Sequence, residues 1–114
     1  MLNNNEIKVG QHYIININNV ENKFIFDNRC IIELMNEIIE LYNLTVLEKI
    51  LYPFAPYGFT GIYLLSESHL SFHTWPEHNK ICIDLFTCGK NNKCLIKELL
   101  EKNFSTISIQ VMDR

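Results

Sequence analysis

The chain predicts an α+β fold, a two-layer sandwich in which a mainly antiparallel sheet carries two helices on one face. Three observations predict it: six short strand-type segments, two segments of helical periodicity, and a grouping that sets four strands in succession between the helices. With 114 residues, 47% of them hydrophobic, there is material for one core and a single domain, 1–114.

His12 to Ile17 reads as the first strand, because Tyr13, Ile15 and Ile17 alternate with His12, Ile14 and Asn16 ahead of an Asn-rich turn. Asp27 or Asn28 then caps a helix. In it Ile31, Ile32, Met35, Ile38, Ile39 and Tyr42 recur at three- and four-residue steps, with Glu33, Asn36, Glu37 and Glu40 on the other side. Val46 to Tyr52 is a second strand, broken by the two prolines and the glycine of Pro53 to Gly58, a loop that carries Phe54 and Tyr57. Thr60 to Ser66, Leu70 to Trp75 and Ile81 to Phe86 follow as strands, each β-branched or aromatic and each closed by a turn signal, Pro76 ending the middle one. Beyond Gly89, Lys93 to Lys102 carries a second helical stripe of Leu95, Ile96, Leu99 and Leu100, and Thr106 to Val111 forms the last strand. The order is β-α-β-β-β-β-α-β. An edge or the open face of so small a sheet is a natural place for a second copy to dock.

Composition narrows the partners. The net charge is -3 and the pI about 5.8, with Lys49, Lys80, Lys90, Lys93, Lys97 and Lys102 scattered among acids, so no basic stripe tracks phosphates and nucleic acid is not expected. No stretch approaches the roughly 18 to 20 uncharged apolar residues of a membrane span, and the start MLNNNEIKVGQ has no apolar signal core. A cytosolic protein is therefore expected. Cys30, Cys82, Cys88 and Cys94 form no CxxC pair and read as thiols in a reducing compartment. Cys82, Cys88 and Cys94 are evenly spaced, with His73 and His78 nearby, but they lack a metal knuckle and no metal is expected.

The chemistry gathers in ESHLSFHTWPE, Glu67 to Glu77, followed by Asp84, Phe86, Thr87, Cys88 and Gly89: a hydroxyl, an imidazole, an indole, a carboxylate and a thiol close together. Taken singly these residues have ordinary readings. A serine between glutamate and histidine is a polar turn residue, and His73 reads as a histidine on a sheet face. Cys88 reads as a small buried hydrophobe, although Gly89 lets the chain turn there and can expose the thiol. Ser68 and His73 lie five positions apart, which on one straight strand sets them on opposite faces, so spacing alone does not make them partners. Phe54 and Trp75 fit core packing as well as they fit a binding site.

Together the residues say more. PYGFTGIYLLS, Pro56 to Ser66, leads into ESHLSFHTWPE, and the ungapped run to Gly89 resembles the self-processing core of the small prokaryotic-type S-adenosylmethionine decarboxylases, with a looser likeness from Gly10 almost to the end. The resemblance implies that the Ser68 hydroxyl attacks the Glu67 carbonyl, that β-elimination cuts the chain into 1–67 and 68–114, and that residue 68 becomes a pyruvoyl cofactor. Such a ketone forms a Schiff base with the substrate amine and accepts the electron pair released with carbon dioxide. By the same resemblance His73 assists processing, a neutral imidazole being suited to taking a proton from Cα, and Thr60 supports it where relatives often have serine. Cys88 returns a proton to the substrate Cα; a proton delivered to the cofactor instead ends in transamination and loss of the cofactor.

Phe54 and Trp75 offer ring faces for an adenine and a sulfonium, Glu77 can accept from ribose hydroxyls, Tyr52 and Tyr57 are weaker candidates, and His69 reads as structural. A homodimer of cleaved protomers with sites near its interface is implied. The chain departs from its relatives at His78-Asn79-Lys80-Ile81-Cys82-Ile83, where small residues and tyrosine are usual, and in a shorter stretch after Gly89. The expected substrate is S-adenosylmethionine. The alternatives are the same chemistry on arginine or ornithine and a non-catalytic regulatory paralogue, the latter disfavoured by the presence of Ser68.

Overall fold

Alternating burial is what sorts this chain into layers. The computed structural model describes residues 7–89 and 91–114. Residues 1–6 of the polar start, and Lys90 among the scattered cations, lie outside the described residues. The strands are β1 (Gly10–Asn18), β2 (Val46–Pro53), β3 (Phe59–Leu65), β4 (His69–Trp75), β5 (Lys80–Cys88) and β6 (Thr106–Asp113); the helices are α1 (Asn22–Ile25), α2 (Asn28–Leu41) and α3 (Lys93–Glu101). All five ladders are antiparallel, in the order β2-β3-β4-β5-β1-β6. The α+β sandwich is therefore observed.

One face of the sheet is the core. Tyr13, Ile15 and Ile17 of β1, Phe59, Tyr63 and Leu65 of β3, Leu70 and Phe72 of β4, and Ile81, Ile83 and Leu85 of β5 are buried against Ile31, Leu34, Met35 and Ile38 of α2 and Ile96 and Leu100 of α3. Burying each such side chain is worth about 1.5–3 kcal/mol, which makes this layer the main source of stability. The opposite face, carried by the alternate residues, is open.

Helix α2 starts where its cap permits: the Asp27 carboxylate accepts from the Arg29 backbone N–H at 3.0 Å, and the Arg29 side chain beside it holds that carboxyl below the usual range. Several local details differ from the expectation. The short helix α1 and a 3₁₀ turn at Pro76–His78 were not anticipated, so two main helices are joined by a third, minor one. Leu34, absent from the expected stripe, is buried, while Leu95, assigned to the second stripe, is 39% exposed. Strand β3 runs from Phe59 to Leu65 rather than from Thr60 to Ser66, which leaves Ser66 in the loop.

Gly61 shows how tightly β3 packs on β4. A Cβ there would sit 2.6 Å from Phe72 Cζ and 2.8 Å from Leu51 Cδ2, and Phe72 is fully buried and stacked edge-on against Phe59 at 5.1 Å. We expect Gly61→Ala to destabilise the fold by about 1–3 kcal/mol through overpacking, seen as a lower denaturant midpoint. An unchanged midpoint would contradict this packing.

Candidate active site

The hairpin joining β3 to β4 is closed by a bond from the Leu65 N–H to the Ser68 carbonyl at 3.0 Å, so Ser66 and Glu67 form a two-residue loop and the Glu67–Ser68 peptide lies at its end. β3 and β4 are laddered to each other from Phe59↔Thr74 to Leu64↔His69, and each has a second neighbour in the sheet. A cut at that peptide would remove no rung.

Ser68 meets Cys88 here. Pairing of β4 with β5 sets His69 opposite Phe86, which carries the residue before β4 towards the end of β5, and the Cys88 backbone N–H donates to Ser68 Oγ at 3.1 Å. The Cys88 side chain is exposed. Ser68 lines an open hollow of about 870 Å³ together with Glu67, His69, Phe86, Met112 and Arg114. The Arg114 guanidinium stands 5.8 Å over the Phe86 ring, and its backbone is bonded to Val9 and Gly10 of the first strand and its lead-in.

A second cluster lies at the far end of the same face. His73 pairs with Thr60 on β3 and Cys82 on β5, so all three share the open side, and His73 Nδ1 is 2.9 Å from Thr60 Oγ1. If Nδ1 carries the proton it donates to Thr60, and the lone pair is left on Nε2. Trp75 stacks at a tilt on His73 with centroids 5.7 Å apart. Thr60, His73 and Trp75, with Phe54, Tyr57 and Glu77, line a cleft of about 310 Å³, inside the size range of small-ligand sites. Phe54 and Trp75 are 50% and 38% exposed, so neither is a core residue. Tyr52 stacks on Phe54 at 4.8 Å.

The two clusters do not meet within one chain. β4 runs from His69 to Trp75 with no shift of register, Ser68 stands just ahead of it at the end of the loop, and five residues at about 3.3 Å each separate Ser68 from His73 by roughly 16 Å. Between them, in the middle of the open face, His12 Nε2 lies 3.0 Å from Asp84 Oδ1, and the Cys82 thiol donates to Asn16 Oδ1 at 3.2 Å. Burial pushes the Cys82 thiol up, which keeps it a protonated donor at neutral pH. The His12–Asp84 pair had no signal in the sequence, since its members are 72 positions apart and meet only through the β1–β5 ladder. Among the described residues no three His, Cys, Asp or Glu side chains converge as a metal-ligand set, and no helix is long and apolar enough to cross a membrane.

Comparison with known proteins gives one consistent result. The family model described as S-adenosylmethionine decarboxylase matches residues 11–114. The chain is 36% identical over 96 residues to an S-adenosylmethionine decarboxylase proenzyme of Archaeoglobus fulgidus, covering 82% of this chain and 86% of that protein. It is 40% identical over 84 residues to the one of Picrophilus torridus, covering 74% of this chain but 65% of the relative. The chain thus spans just under two-thirds of that longer relative. It is also similar to the crystal structure of the adenosylmethionine decarboxylase from Aquifex aeolicus, with a TM-score of 0.82 and 31% identity over 96% of this chain and 92% of that one.

Proposed function

The chain belongs to the S-adenosylmethionine decarboxylase family, and from that membership we propose that it cuts itself between Glu67 and Ser68 and then decarboxylates S-adenosylmethionine. The observation that carries this reading is the contact between Ser68 Oγ and the Cys88 N–H. It brings the residues expected to be nucleophile and proton donor, twenty positions apart, into direct contact, with Ser68 in the wall of the hollow.

In the cut, Ser68 Oγ bonds to the Glu67 carbonyl carbon and gives up its proton. The C–N bond to residue 68 breaks and the nitrogen takes up a proton; loss of the Cα proton then expels the Glu67 carboxylate and leaves dehydroalanine, whose imine tautomer takes up water and releases ammonia to give the ketone. The fold is suited to surviving this. Chain 1–67 keeps β1, β2, β3 and α2, chain 68–114 keeps β4, β5, α3 and β6, and β1 stays laddered between β5 and β6, so the two pieces interleave in one sheet.

The residues present fit a pyruvoyl group at position 68, which would stand in the hollow with the Cys88 side chain exposed nearby. That group supplies a ketone able to condense with the substrate amine and to take up the electron pair left when carbon dioxide departs. The Cys88 thiol then delivers a proton to the substrate Cα. Phe54 and Trp75 hold the adenine and the sulfonium by their ring faces, and Glu77 accepts from the ribose.

The working enzyme is a homodimer. His73, Thr60, Phe54, Trp75 and Glu77 lie roughly 16 Å from Ser68 on the same face, too far to serve it in one chain. Turned over by a two-fold axis, a second copy laid on the open face sets its His73 end against the first copy's Ser68 end, and one isologous contact makes two sites. The face is apolar enough for this: Ile50, Tyr52, Ile62, Leu64 and Met112 are all exposed on it, at 50 to 68%. A reducing cytosol suits the four free cysteines.

Carbon dioxide release from carboxyl-labelled S-adenosylmethionine, arginine and ornithine tests the substrate. Release from S-adenosylmethionine alone is expected. Release from an amino acid alone would move the reaction to that substrate, and ligand binding by an uncut chain without turnover would point to a regulatory paralogue.

A further inference from the structure

The turn that carries Cys88 is held by a clamp that no motif signals. Thr87, the residue before Cys88, faces the helix layer and is 1% exposed, and its Oγ1 accepts from Asn91 Nδ2 at 2.7 Å. The Asn91 backbone N–H donates to Gln11 Oε1 at 2.8 Å, and the Asn91 carbonyl accepts from the Tyr13 hydroxyl at 3.2 Å. Side chain, N–H and carbonyl of one asparagine are thus each spoken for. Tyr13 is fully buried, and its hydroxyl also lies 3.3 Å from Gln11 Oε1, so the clamp is anchored in β1 at the floor of the core.

Gly89, at φ +77° with nothing within 4 Å of where a Cβ would be, gives the turn no steric support of its own. Its N–H donates to the Val9 carbonyl at 3.0 Å, just past the end of the ladder that sets Gln11 opposite Thr87 and Gly10 opposite Cys88.

We propose that Asn91 and Thr87 are positioning residues for self-cleavage: by pinning the Thr87-Cys88-Gly89 turn they aim the Cys88 N–H at Ser68 Oγ. That N–H orients the hydroxyl and stabilises the negative charge that develops on it as its proton leaves, the task of a preorganised donor. The assignment rests on the proposed self-cleavage and deepens it. A displacement of about 1 Å in such a donor can slow a reaction on the order of a hundredfold.

The test uses the full chain made in cell-free synthesis with a labelled pulse, following the appearance of 1–67 and 68–114. Thr87→Val, which keeps the shape and loses the acceptor, and Asn91→Ala are each expected to cut at least about tenfold more slowly, whereas Thr87→Ser, which keeps the oxygen, cuts like the parent. Melting temperatures of the same changes, measured in uncut Ser68→Ala protein, are expected to stay close to that parent. Wild-type cutting rates in Thr87→Val and Asn91→Ala overturn the proposal, and so does slowing that merely tracks a fall in melting temperature. A parent chain that never cuts overturns the self-cleavage itself, and this assignment with it, and is recognised because the control fails first.

Discussion

Ser68→Ala is expected to leave a folded, uncut and inactive protein. Without Oγ there is no atom to form the ester with the Glu67 carbonyl, so neither the cut nor the ketone can arise. The loss is total rather than partial, because no neighbouring group supplies an electrophile of that kind. The structure gives the variant every reason to fold: Ser68 lies just outside β4, and among the described residues its hydroxyl serves as the acceptor for the Cys88 N–H. Gel electrophoresis under denaturing conditions should show one chain, and carbon dioxide release should fall to background. Normal turnover by this variant would refute a cofactor made from residue 68.

A second large effect follows from the distance between Ser68 and His73. His73→Ala is expected to slow cutting by about 10² to 10⁴, the usual worth of a positioned acid or base. If the histidine that serves Ser68 comes from the other copy, co-expression with Ser68→Ala should rescue it. In the mixed dimer the intact Ser68 of one chain faces the intact His73 of the other, so the His73→Ala chain is cut while the Ser68→Ala chain is not. Failure of the mixture to cut, with each protein shown to dimerise, would place the histidine's action within one chain and contradict the apposed-face arrangement.

Much of the fold was legible because its signal is local. Tyr13, Ile15 and Ile17 alternate, Ile31, Met35 and Ile38 recur with helical period, and all six are buried. Helix α1 was not legible: it is four residues long and buries only Ile25, too little to set a period. The turn at Pro76–His78 ends on Asn79 at φ 51°, held by bonds from its amide to the Val20 carbonyl and Asn22 Oδ1, partners more than fifty positions away.

The candidate site divides along the same line. Ser68, His73 and Cys88 were found through a motif, and the resemblance implied that Ser68 and His73 come close although their five-residue spacing did not make them partners; within one chain they stay apart. What spacing could not supply was the β4–β5 register that brings the Cys88 N–H to Ser68 Oγ. Nor could it supply the insertion of β1 between β5 and β6, which brings Gln11 and Tyr13 to Asn91 and His12 to Asp84. Such contacts depend on strand order, a property of the whole sheet.

An intact mass spectrum of the freshly purified protein under denaturing conditions tests the central claim most directly. Two masses are predicted, 1–67 ending in a free carboxylate and 68–114 beginning with a ketone in place of an amino group. A single uncut chain of 13.4 kDa after long incubation would contradict it.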